Sequence, residues 1–193
     1  MKYLKTASVL AVISLICAAI IAAFSLLTSQ KIKDNSKQKE QETYKVIYDD
    51  YSYSKDVTTN LSKETLDYDL IEKAMIAYDE NDNELGTIFT VTGKNSYGTI
   101  SLMVAVNDGN VSKVEFLANT ESFASKVNDY VKSNYPSSKT DAIYIGINDS
   151  NLNDIDSLSI DNVSDMDTKC GATYGALLVK KLVLAAASAE ILS

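Results

Sequence analysis

The run "ASVLAVISLICAAIIAAFSLL", from Ala7 to Leu27, contains no charged residue. No other stretch constrains the fold as strongly. A helix over it is about 31 Å long at ~1.5 Å per residue, close to the thickness of a bilayer's hydrocarbon core. A secretory signal has a shorter apolar region that ends in a small-residue cleavage site. The length therefore favours a retained span over residues 1–28, a single-pass anchor in the cell membrane. Ile16 is too large for the residue that precedes a lipoprotein cysteine. Cys17 falls at lipid depth, so Cys17 and Cys170 are not expected to pair. Lysines stand on both sides of the run, Lys2 and Lys5 before it and Lys31, Lys33, Lys37 and Lys39 after it. Loop charge alone does not orient it.

Composition narrows the chemistry. All 18 basic residues are lysine, the net charge is -8 and there is no histidine. Nucleic-acid binding is not expected, because it calls for a concentrated basic face in which arginine is the usual reader. Without histidine, a Ser-His-Asp triad, an HExxH zinc site and imidazole acid–base catalysis are all excluded. Two cysteines do not make a structural zinc site. The spacings Asp79-x-Asn81-x-Asn83 and Asp149-x-Asn151-x-Asn153 begin like calcium loops, but both lack glycine at the sixth place and glutamate at the twelfth. We expect no metal site and no catalytic residue.

Residues 29–60 read as a stalk or linker: the polar run Ser29 to Thr43 reads as helical or flexible, and Tyr44, Tyr48, Tyr51 and Tyr53 follow. Residues 61–193 read as one domain. "TLDYDLIEKAMIAYDENDNELGTIFTVTG" gives strand, turn, strand. "YGTISLMVAVNDGNVSKVEFLA" repeats the pattern, with Asp108-Gly109 as a hairpin signal. From Ser122 to Asn134 the period becomes helical, with Phe123, Val127, Tyr130 and Val131 on one face and Pro136 closing the segment. "AIYIGI", residues 142–147, reads as a short strand, residues 149–167 as an acidic loop, and Tyr174–Ile191 as a helix. Strands and helices that mix without regular alternation predict an α+β fold, an antiparallel sheet with flanking helices.

The segment "DTKCGATYGALL", Asp167 to Leu178, raises the functional question. Gly171 and Ala172 leave the backbone bare before Thr173, and a helix follows. A hydroxyl at a helix start lies where unpaired N–H groups and the macrodipole favour a phosphate. The plainer reading makes Thr173 the N-cap of the helix, with Gly171 for the turn.

"DTKCGAT" resembles the flavinylation motif of the FMN-binding domain family, found in the RnfG protein of the Rnf electron transport complex and in its counterpart in the sodium-pumping NADH:quinone oxidoreductase. That motif reads Asp, two variable residues, Ser or Thr, usually Gly, then Ala and Thr. Cys170 stands where Ser or Thr is usual. The N-terminal span ending "LLTSQKIKD" resembles the family's anchor. "ELGTIFTVTGKNSYGTISLMVAVNDGNVSKVEFLANTES" resembles the stretch that builds the flavin cradle, with Gly93, Tyr97, Gly98 and Ile100 on its glycine-aromatic pattern. Where the family commonly reads Glu-Thr-Pro-Gly-Leu-Gly, this chain has "ESFASKV", which keeps Glu121 and Ser122 in kind.

The resemblance implies FMN esterified through its phosphate to Thr173, installed from FAD by a flavin transferase of the ApbE type. It implies cofactor contacts from Asp167, Cys170, Gly171, Ala172, Tyr97, Gly98, Glu121, Ser122 and Tyr174. It implies an electron-carrying subunit of an Rnf-like, ion-translocating membrane complex, not a catalyst alone, with its domain on the extracytoplasmic side and the other subunits as partners. Two further readings share the anchor: a stand-alone flavoprotein passing electrons to extracellular acceptors, and a non-redox surface domain.

Overall fold

The computed structural model describes residues 2–136 and 158–192. The chain divides into two units, Met1–Gln41 and Glu42–Ser193. The first is helix alone, part of α1, Lys2–Ile47. Among its described apolar side chains, Leu10, Ile13, Leu15, Ile21, Phe24 and Leu26 are all more than half exposed. A helix apolar on every side belongs in lipid or a large core. This one is long and apolar enough to cross a membrane.

The segment read as a stalk falls into two parts. Helix continues through its Lys-, Gln- and Glu-rich run, residues that propagate helix well. The final turn of α1 lies in the second unit, where Tyr44 and Ile47 are buried. Of the tyrosines beyond it, Tyr53 opens strand β1, Tyr53–Asp56.

The second unit is built on a five-stranded antiparallel meander, β1-β2-β3-β4-β5 in spatial order. The further strands are β2 Ile71–Tyr78, β3 Glu84–Asn95, β4 Gly98–Asn107 and β5 Asn110–Asn119. The expected α+β class is what the structure shows. Alternation along β4 divides the core. Ile100, Leu102 and Val104 join Phe89 and Val91 on one face of the sheet. Met103 and Ala105 join Ile88 on the other, against Tyr44, Ile47 and Tyr51. An antiparallel sheet often leaves one face wet. Here the end of α1 covers the second face.

The first face carries α2, Ala124–Asn134, and α4, Thr173–Ala187. Buried Gly175, Ala176, Val179, Leu182, Val183 and Ala186 form the inward stripe of α4. Two glycines let it lie close. A Cβ on Gly93 would stand 2.7 Å from Leu178, and one on Gly175 would overlap Val127 of α2.

Two sequence expectations change. The acidic stretch is not all loop, because α3, Ile160–Asp165, forms within it. Ser159 caps this helix by accepting from the Asn162 N–H, and buried Val163 anchors it. The last helix stops at Ala187, and Ile191 makes an antiparallel bridge to Leu61 instead. The expected strand 142–147 and the second calcium-like spacing lie outside the described residues. Both cysteines are free.

Candidate functional site

The site is built where three local structures meet. The first is the turn between β3 and β4. Asn95 pairs with Gly98, so the loop is Ser96-Tyr97. The Asn95 Oδ1 accepts from the N–H groups of Tyr97 (2.7 Å) and Gly98 (3.1 Å), standing in for a backbone acceptor. Its Nδ2 donates to Glu121.

The second is the segment after β5. Asn119 Oδ1 accepts from the Glu121 N–H, and the Ser122 N–H and hydroxyl both donate to the Tyr97 carbonyl. Glu121 is thereby buried, 6% exposed, with its carboxylate under the first turn of α4. Gly98 makes this approach possible. A Cβ there would fall 2.5 Å from the Thr120 carbonyl oxygen and 2.7 Å from the Glu121 backbone.

The third is the loop into α4. Asp167 Oδ1 accepts from the Lys169 N–H, and Gly171 takes the left-handed conformation at φ 73°. Ala172, buried, occupies the N-cap position, and no side chain caps the helix. Thr173 is the first helical residue and is exposed. Its hydroxyl makes no hydrogen bond with a described residue, and the N–H groups of the first turn lack acceptors inside the helix. The N-cap reading of Thr173 is therefore corrected, since a cap accepts from the helix and this hydroxyl does not.

A cleft of about 240 Å³ joins the three, lined by Tyr97, Glu121, Phe123, Gly171, Ala172, Thr173, Tyr174 and Gly175. Six of the residues expected from sequence meet there. Gly98 and Ser122 stand behind, holding the Tyr97 turn and Glu121 in place. Asp167 and Cys170 face a neighbouring hollow of about 350 Å³ with Lys126 and Tyr130. Phe123 and Gly175 are additions that no sequence motif signals. The helical period assigns Phe123 to the core face of α2, yet it is 46% exposed. Its ring meets that of Tyr97 edge-on at 5.9 Å, and Tyr97 lies 5.7 Å from the ring of Tyr174. Three exposed aromatic rings beside an unused hydroxyl form a surface suited to a planar ligand.

Beneath the neighbouring hollow, Tyr130 and Tyr135 stand edge-on at 5.9 Å. Neither hydroxyl reaches a hydrogen-bond partner among the described residues. Burial pushes Tyr130 up to about 12 and Tyr135 well above the ordinary tyrosine value. The first calcium-like spacing is an ordinary turn: Asp79 accepts from the N–H groups of Asn81 and Asn83 and from the Asn83 side chain. Those bonds, the Asn83 side chain's foremost, hold its carboxyl below the usual range.

Residues 2–47 match the family of the RnfG N-terminal region. The match ends at the same residue as α1, so it covers the apolar span, the polar run and the turn that packs under the sheet. Over that region the chain resembles the RnfG protein of the Rnf complex. No curated protein and no solved structure matches the chain.

Proposed function

We propose that this chain is an electron-carrying subunit of an Rnf-type membrane complex and bears FMN esterified through its phosphate to Thr173. The observation that carries the reading is the unused Thr173 hydroxyl at an uncapped helix start, set among the Tyr97, Phe123 and Tyr174 rings. The RnfG-like anchor supports the choice of complex.

The residues fit the cofactor. Gly171 and Ala172 expose the hydroxyl, and the first-turn N–H groups of α4 suit a phosphate oxygen. The rings offer stacking and edge contacts to an isoalloxazine. The cleft lies below the ~300–1,000 Å³ of pockets that enclose their ligands. It would therefore hold part of the ring and leave an edge open to a redox partner. Bound flavin supplies one- and two-electron redox chemistry, while the protein sets its position and electrostatics. Attachment from FAD forms a bond from Thr173 Oγ to the FMN phosphorus and breaks the diphosphate bond. AMP leaves, and the hydroxyl proton passes to a base on an ApbE-type transferase. Asp167, on the loop that presents Thr173, is the acid such a transferase would meet. The ester keeps the cofactor from being lost if the acidic domain lies outside the cytoplasm, the side we assign to it.

Membranes from cells making both the chain and a transferase should show a flavin-fluorescent band at 21.0 kDa after denaturing electrophoresis. Thr173→Ala should abolish it. A dark wild-type band beside a fluorescent control substrate would contradict the reading and favour a non-redox surface domain. Affinity purification from native membranes then separates the two redox readings. Co-purified integral subunits indicate a complex, and a flavinylated chain that comes alone indicates a stand-alone carrier.

A further inference from the structure

We infer that Lys126 is the counter-charge for a phosphodiester on Thr173, a positioning residue contributed by the segment in which this chain departs from the family pattern. The inference rests on the reading of Thr173 as the attachment point. Lys126 lies in the first turn of α2, where a cation opposes the helix dipole and is locally unfavourable. It forms no ion pair or hydrogen bond with a described residue. Its ammonium instead stands 5.9 Å from the centroid of the Phe123 ring, and 3.1 Å from where a Cβ on Gly171 would be. Both neighbours line the Thr173 cleft, and Gly171 is two residues from the hydroxyl. The start of α2 is uncapped like that of α4: Phe123 occupies the N-cap position and makes no capping bond.

The local charges call for such a cation. Glu121 lines the cleft, and Asp129 and Asp167 line the adjoining hollow. A phosphodiester adds a further negative charge beside them. Lys169 shares the hollow, but Lys126 is the lysine placed against Gly171. A charge-assisted bond to phosphate is stronger than a neutral one, and an exposed lysine can turn its head toward the ester while its stem stays beside Gly171.

The test is a thermal-unfolding cycle on the full chain in detergent, with and without transferase-installed flavin, for wild type, Lys126→Gln and Lys126→Arg. Loading is verified by mass. Flavinylation should raise the midpoint in wild type. The gain should shrink by about 2–4 °C in Lys126→Gln and persist in Lys126→Arg, while the unflavinylated Lys126→Gln midpoint stays level with wild type or rises slightly as the opposed dipole is relieved. Raising salt should erode the wild-type gain toward that of Lys126→Gln. Equal gains in wild type and Lys126→Gln, or an Arg variant that behaves like Gln, would overturn the inference. A wild-type chain that accepts no flavin fails earlier, at Thr173 itself, and is recognised by its mass.

Discussion

The two ends of β4 carry two-residue hairpins built on different logic. At one end, Asp108 and Gly109 both take positive φ, 49° and 76°, as a type I′ turn requires. A Cβ on Gly109 would meet nothing within 4 Å. At the other end, Ser96-Tyr97 has neither residue at positive φ and no glycine in the loop. Side chains of Asn95 and Ser122 hold it, and Gly98 is pressed against the backbone at Thr120 and Glu121. The first turn only reverses the chain. The second gives up local regularity to fix an aromatic ring and a buried carboxylate beside Thr173. Departures from local rules are common at functional sites, and the side-chain-held Ser96-Tyr97 turn is one such departure beside the candidate site.

Substitutions should separate the two turns. The largest difference is expected from glycine. Gly98→Ala drives a methyl into backbone that cannot move aside and should cost about 3 kcal/mol in urea unfolding. Gly109→Ala strains φ in open space and should cost about 1 kcal/mol. Equal losses would remove the distinction. Next come the asparagines. Asn95→Ala strips acceptors from two N–H groups and a donor from buried Glu121, a loss of about 2 kcal/mol, with slower flavin uptake. Asn107→Ala removes a 3.3 Å bond from the Tyr48 hydroxyl and should cost about 0.5–1 kcal/mol, with uptake unchanged.

This contrast also explains what is legible in the sequence. The regular hairpin announces itself as Asp-Gly between alternating apolar residues, and β2 to β5 and α2 follow from such local patterns. The uncharged run 7–27 is legible for the same reason. A helical polar run to Thr43 is one of two readings the sequence leaves open; the last turn of α1 to Ile47 is not legible, because it is fixed by Met75, Ile88 and Met103 far along the chain. Nor is α3, whose apolar anchor Val163 is a single residue among acids. In the site, Thr173 and its glycine are visible as a motif. The partnership of Tyr97, Phe123 and Tyr174 is not, since those rings come from three segments, two joined by side-chain hydrogen bonds and the third brought in by the packing of Gly175 on Val127 and Glu121. Phe123 and Lys126 look like ordinary members of an amphipathic helix until its uncapped start is seen to face Thr173.

An effect confined to alkaline pH concerns the tyrosine pair beneath the site. The Tyr130 phenol keeps its proton to about pH 12 when folded, against about 10 when unfolded. The folded state therefore binds more protons between those values. Stability from this group is whole below pH 10 and is lost as pH rises toward 12, by about 2–3 kcal/mol at most. Tyr130→Phe should flatten that alkaline loss. Tyr135→Phe removes a hydroxyl without a described partner and should be neutral or stabilising by up to about 1 kcal/mol near pH 7. Urea midpoints at neutral and alkaline pH would show both, and a steeper alkaline loss in Tyr130→Phe would contradict the assignment.

The central claim is tested most directly by a peptide mass. Cleavage after lysine releases Cys170–Lys180, in which Thr173 is the one threonine and there is no serine. From chain made with a flavin transferase, that peptide should gain the mass of FMN less water, with fragmentation placing it on Thr173. The gain should vanish in Thr173→Ala. An unmodified peptide, beside a control substrate that the same transferase has loaded, would contradict the account.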